Sequence, residues 1–193
     1  MNFTLEHLKN ETIGDWRIET FEIPENFAKM RNFFIKNPLM KLEGGIYKKL
    51  VNKLDGVIMS NTPMEQRTHI KAINKAQGNV LVAGLGLGMY LQNIKDKEEV
   101  TSITVVEKSK EVIELVAKYF KDCQKIRIVN EDIFNYTPDI KFDFAFLDIW
   151  SDISEDNLVE FNILREKFKE IPEIICWSED IIELNKLLEE SSL

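Results

Sequence analysis

From Asn79 onward, short apolar runs alternate with segments whose apolar residues recur at helical spacing. The runs are "NVLVAG", "TSITVVEKS", "KIRIVNED", "FDFAFLDIW" and "EIICWSED". Each has the length and the β-branched or aromatic content of a buried strand, and each ends in small, polar or acidic residues. Between them Val112, Ile113, Val116 and Phe120 make one helical stripe after Ser109. Leu158, Phe161, Leu164 and Phe168 make a second, and Ile181, Leu184 and Leu188 a third. Such stripes pack one helix face on a sheet. Ser178 stands where it can cap the last helix, with Glu179 and Asp180 in the first turn, where the helix dipole favours negative charge. Strand and helix in alternation imply right-handed crossovers, hence a doubly wound, mainly parallel α/β sheet over residues 79–193.

Residues 1–78 follow another rule and are expected to form a small α+β subdomain. "DWRIETFEIP" alternates as a half-exposed strand does, and "NFAKMRNFFIKNP" reads as a short helix stopped by Pro38. "GGIYKKLVNKLDGVIMSNTP" reads as two strands joined at Asp55-Gly56, a hairpin signal. "MEQRTHIKAINKA" then forms a helix leading into the first parallel strand.

Composition narrows the function classes. The net charge is −8 and the basic residues are scattered, whereas a nucleic-acid-binding protein usually shows a basic face. Cys123 and Cys176 have no CxxC or Cys/His companions, so neither a zinc site nor a disulfide framework is indicated. No run approaches the length of a membrane span, and the N-terminus lacks the pattern of a signal peptide. A soluble cytoplasmic protein is the expectation.

In a doubly wound sheet, ligands bind outside the carboxyl ends of the strands, where strand order reverses. Gly84, Gly86 and Gly88 follow the first strand, Glu107 ends the second, Asp132 follows the third, and Asp148 and Trp150 close the fourth. Glycines there allow a sharp turn and let a ligand approach the backbone. A dinucleotide fingerprint would need glycine at position 89, which is Met89; the GxGxG spacing points instead to a nucleoside carrying a sulfonium amino acid. Glu107 is placed to accept hydrogen bonds from ribose hydroxyls, and Asp132 one from an adenine amino group, with Ile133 and Phe134 against the ring. Asp148, delivered from an apolar strand into the mouth of the cleft, suits the orientation or deprotonation of a nucleophile. Trp150 offers an apolar wall for substrate.

With these segments in this order, the chain from Asn79 to Glu179 resembles the class I S-adenosylmethionine-dependent methyltransferases, and within them it is most similar to the spermidine synthase branch. The resemblance implies a Rossmann-like sheet, S-adenosylmethionine as cofactor, a small-molecule methyl acceptor and no metal. Where spermidine synthases carry a Gln near the nucleoside this chain has Met59, and in place of their Tyr-His-Glu run it has Thr68, His69 and Ile70. The cation-binding groups of a polyamine pocket are thereby lost. The chain stops after the fifth strand and its helix, so the antiparallel strand pair that usually completes the sheet is expected to be missing. An open edge of that kind invites pairing with a second copy. Two further readings stay open: an aminopropyltransferase with an altered amine site, and a nucleoside-binding subunit without turnover. "DIW" lacks the Asn/Asp-Pro-Pro-aromatic motif of DNA-base amino methylation, in keeping with the acidic charge.

Overall fold

The N-terminal part builds one sheet and the C-terminal part another, and the cleft of interest lies between them. The computed structural model describes residue 1 and residues 3–190, with side chains as far as Leu187. The first sheet is antiparallel, in the order β1 (Glu11–Ile13), β2 (Trp16–Ile23), β3 (Gly45–Asn52), β4 (Gly56–Ser60). Helix α1 (Glu25–Phe33) follows β2, and a short 3-10 turn at Pro38–Met40 ends that excursion. The Asp55-Gly56 hairpin forms as the sequence suggests, with Gly56 at φ +82 and the Asn52 side chain accepting from the amides of Leu54 and Asp55. A bulge interrupts the β3–β4 register, so that Leu50 faces Met59 and Val51 faces Val57. The extra residue is Ile58. A bulge breaks the alternation of faces, and the neighbours Ile58 and Met59 both reach the cleft.

Helix α2 (Pro63–Lys75) leads into the second sheet, in which β5 (Gly78–Ala83), β6 (Val100–Glu107), β7 (Ile126–Asn130), β8 (Phe144–Leu147) and β9 (Glu173–Cys176) are all parallel. Their order is β7-β6-β5-β8-β9. The crossovers carry α3 (Met89–Ile94), α4 (Lys110–Val116) and α5 (Asn157–Lys167), and α6 (Glu179–Glu190) follows β9. Strand order reverses at β5, which places the switch point at the glycine loop. Central strands covered on both faces need continuous apolar runs, and every residue from Val80 to Ala83 and from Phe144 to Leu147 is buried. Among the described residues no antiparallel strand extends this sheet, so β7 and β9 are its edges.

The helical stripes dock as their spacing implies. Val112, Val116 and Phe120 are buried, as are Phe161, Leu164 and Phe168, and Ser109 caps α4 by accepting from the Val112 amide at 3.2 Å. Ile181 is buried and Leu184 half-buried; the Leu188 side chain lies outside those described. Ser178 departs from the expected cap. Its backbone sits at φ +59 and its buried hydroxyl has no hydrogen-bond partner, while its carbonyl accepts from the amides of Ile181 and Ile182. A capping side chain needs extended backbone geometry, which this residue does not have. No helix among the described residues is long and apolar enough to cross a membrane.

Candidate active site

The carboxyl ends of β5, β6, β7 and β8 open into one cleft, roofed by the antiparallel sheet. Gly84, Gly86, Glu107, Asp132, Ile133, Asp148 and Trp150 line it from below, and Trp16, Leu50, Ile58 and Met59 from above. It encloses about 120 Å³, less than the roughly 300–1,000 Å³ of typical ligand sites. The roof therefore sets how much room a ligand finds.

Glu107 is buried, and burial raises its pKa against the opposing pull of backbone amides and of the Lys108 charge. One carboxylate oxygen accepts from the Leu85 amide at 2.9 Å and the other from the Ser109 amide at 2.8 Å. Glu107 thus ties the glycine loop to the start of α4. Each carboxylate oxygen has a second acceptor direction, so the same group retains capacity toward a hydroxyl in the cleft. Asp132 accepts from the Phe134 amide at 2.9 Å, and this local turn sets Ile133 and Phe134 against the cleft.

The glycine loop is filled from within. A Cβ on Gly84 would meet the Asp148 carbonyl oxygen, one on Gly86 the Met59 sulfur, and one on Gly88 the Phe120 ring. All three glycines have positive φ, which L side chains adopt at a cost. Gly84 and Gly86 border the cleft, whereas Gly88 lies outside it at the head of α3. Met59 also accepts a hydrogen bond from the Leu87 amide at 3.1 Å through its thioether sulfur. The loop's inward face is therefore covered by a side chain from β4.

Asp148 reaches the cleft with its side chain 20% exposed, and its Oδ2 lies 3.1 Å from Nε2 of His69. His69 is buried on α2 beside Glu65, whose carboxylate accepts from both the amide and the hydroxyl of Ser60. Burial pushes the Glu65 pKa up to about 7, against the Ser60 hydrogen bonds. Trp150 borders the cleft, but its indole N–H donates to Glu160 at 2.7 Å and its ring packs edge-on against Phe161. It is anchored as much in the core as at the site.

Trp16, Leu50, Ile58 and Glu65 escaped the sequence reading. Only Glu65 left a local signal, since it shares the helical face of His69, Ala72, Ile73 and Ala76, all buried. An acid on such a face needs partners within the fold.

No model of a known protein family matches the chain. Over 91 residues, 47% of this chain, it is 28% identical to malonyl-[acyl-carrier protein] O-methyltransferase 1 of Ilyobacter polytropus, and the match spans 34% of that protein. Among solved structures it is similar to the DhpI-SAM-HEP complex, at 18% identity and a TM-score of 0.41, covering 53% of this chain and 47% of that one. It is also similar to the N-methyltransferase NodS from Bradyrhizobium japonicum WM9 in complex with S-adenosyl-L-homocysteine, at 14% identity and a TM-score of 0.43, covering 57% and 56%. The chain thus spans about a third of the curated relative's length and about half of these solved chains.

Proposed function

We propose that the chain is an S-adenosylmethionine-dependent methyltransferase acting on a small molecule. The observation that carries this reading is the convergence of Gly84, Gly86, Glu107, Asp132, Ile133 and Asp148, from four strand ends, on one cleft. The stretch shared with an O-methyltransferase supports the same chemistry. The residues suit a nucleoside: a buried carboxylate with acceptor capacity to spare, a second acid on a turn, and apolar walls from Ile133 and Phe134. At the glycine loop, room for the amino-acid end requires the Met59 side chain to turn aside.

When bound, S-adenosylmethionine supplies an electrophilic methyl carbon on a sulfonium. Glu107 would hold the ribose hydroxyls and Asp132 the adenine amino group. The backbone around Gly86 would receive the amino-acid end. Asp148 would accept a hydrogen bond from the N–H or O–H of the acceptor and aim its lone pair, with Trp150 as an apolar wall. Rate enhancement from such a site comes mostly from holding the nucleophile in line.

A second reading, a spermidine synthase-like aminopropyltransferase, is favoured by the antiparallel N-terminal sheet that roofs the cleft. Calorimetry with S-adenosylmethionine, its decarboxylated form and NAD separates the two. Tighter binding of S-adenosylmethionine supports methyl transfer, and preference for the decarboxylated form supports the second reading. Binding of neither sinks both enzyme readings and leaves the narrow cleft to a subunit without turnover.

A further inference from the structure

The cleft's acid has a partner behind it that does not line the cleft. His69 is 1% exposed, enclosed by its own helix, the end of β8 and the rings of Phe146 and Tyr90 at 5.4 and 6.3 Å. Its Nδ1 lies 2.8 Å from the main-chain oxygen of Glu65. A carbonyl oxygen has no proton to give, so Nδ1 carries one. Its Nε2 lies 3.1 Å from Asp148 Oδ2. Set against a carboxylate oxygen, an acceptor, Nε2 is placed to donate a second proton. The ring is further braced through Thr68, whose hydroxyl lies 3.2 Å from Nδ1 and accepts from the Trp177 indole at 2.8 Å.

We propose that His69 is a positioning residue for Asp148: a buried imidazolium that holds Oδ2 in place and leaves the other carboxylate oxygen to orient the acceptor. The inference rests on the reading of Asp148 as the group that faces the acceptor. It also narrows the acceptor class. An imidazolium against Oδ2 cancels the carboxylate's charge, so the cleft presents an oriented acceptor atom rather than a bare anion. The group it orients is a neutral hydroxyl or amine with a proton to donate, not a permanent cation. The cost of burying a charge is met because both ring protons have partners.

The titratable groups facing His69 are Asp148 from the end of β8, Glu65 from its own helix, and Tyr90 from α3, whose phenol burial keeps neutral. Burial alone would lower the His69 pKa below its ordinary 6.5; the hydrogen bond and charge of Asp148, together with the carbonyl and charge of Glu65, outweigh that, and the net direction is upward. Group pairs of this kind titrate together.

The test is a pH titration of the full chain by NMR with isotope-labelled histidine. There are two histidines, and His7, whose pKa partial burial lowers, is the internal comparison. The expected result is a doubly protonated His69 ring at pH 6.5, titrating above that of His7. In Asp148→Asn the midpoint should fall, because burial is then opposed only by the carbonyl and charge of Glu65. A neutral His69 ring in the unaltered protein at pH 6.5 overturns the proposal on its own, without recourse to a variant. A midpoint that Asp148→Asn leaves unmoved also overturns it. Calorimetry with S-adenosylmethionine on the same samples is read separately: absent binding refutes the methyltransferase reading, and the ring spectrum alone decides the pairing.

Discussion

Replacing Glu65 with glutamine should make the protein's stability less sensitive to pH. Glu65 is buried at the foot of the His69–Asp148 pair, and its pKa rises from 4.5 in the open chain to about 7 in the fold. The folded state therefore keeps the proton where the unfolded state has already released it. Stability contributed by this group is full below pH 4.5, falls as pH rises to about 7, and is level above that. At about 1.4 kcal/mol per pH unit the loss amounts to about 3 kcal/mol. Glutamine has no proton to lose and keeps an oxygen that can accept from Ser60, which donates to Glu65 through both its amide and its hydroxyl. Urea unfolding of both proteins at pH 5, 6, 7 and 8 measures the difference. The variant should gain on the original by roughly 1 kcal/mol per pH unit between pH 5 and 7 and stay ahead at pH 8. Poorer placement of the amide nitrogen would add an offset of about 1 kcal/mol at every pH and leave the slope unchanged. The His69 contribution is also lost as pH rises through its own pKa, and because the Glu65 charge helps to raise that pKa, the variant loses it at somewhat lower pH. A difference that does not change between pH 5 and 8 would refute the burial of an acid at this position.

Asp148→Asn should bind S-adenosylmethionine within about threefold of the original while losing transfer of labelled methyl to a metabolite extract; a large loss of affinity would place Asp148 against the cofactor instead. Glu107→Ala should both weaken that binding tenfold or more and lower stability by about 2 kcal/mol, because the amides of Leu85 and Ser109 lose their acceptors. Calorimetry and thermal unfolding check the two effects, and unchanged affinity would remove Glu107 from the ribose. Met59→Ala should tighten cofactor binding several-fold by freeing the Leu87 amide and the space over Gly86; equal affinity in calorimetry would show that the thioether is no obstacle.

The parallel sheet was legible because its central strands are buried on both faces and so read as unbroken apolar runs, each ending at the carboxyl edge of the sheet. The same logic exposed Glu107 and Asp148, since an acid at the end of such a run can only stand at the sheet's carboxyl edge. Ser178 misled because a serine before a helix has a capping composition, while its backbone conformation depends on how β9 meets α6. Gly88 carries a packing demand that residue order does not show: a glycine needed for the Phe120 ring looks the same in sequence as one needed for a ligand.

Local periodicity determines which residues turn inward and where each element stops, and so the succession of strands and helices along the chain, the glycine turn and the acids at the strand ends were available from residue order alone. It carries no record of which inward residue meets which. Met59 reaches the glycine loop through a bulge in another sheet, and His69 meets Asp148 across 79 residues of chain. Those contacts follow from packing the two sheets and α2 around one cleft, and packing is decided only when the whole chain has folded.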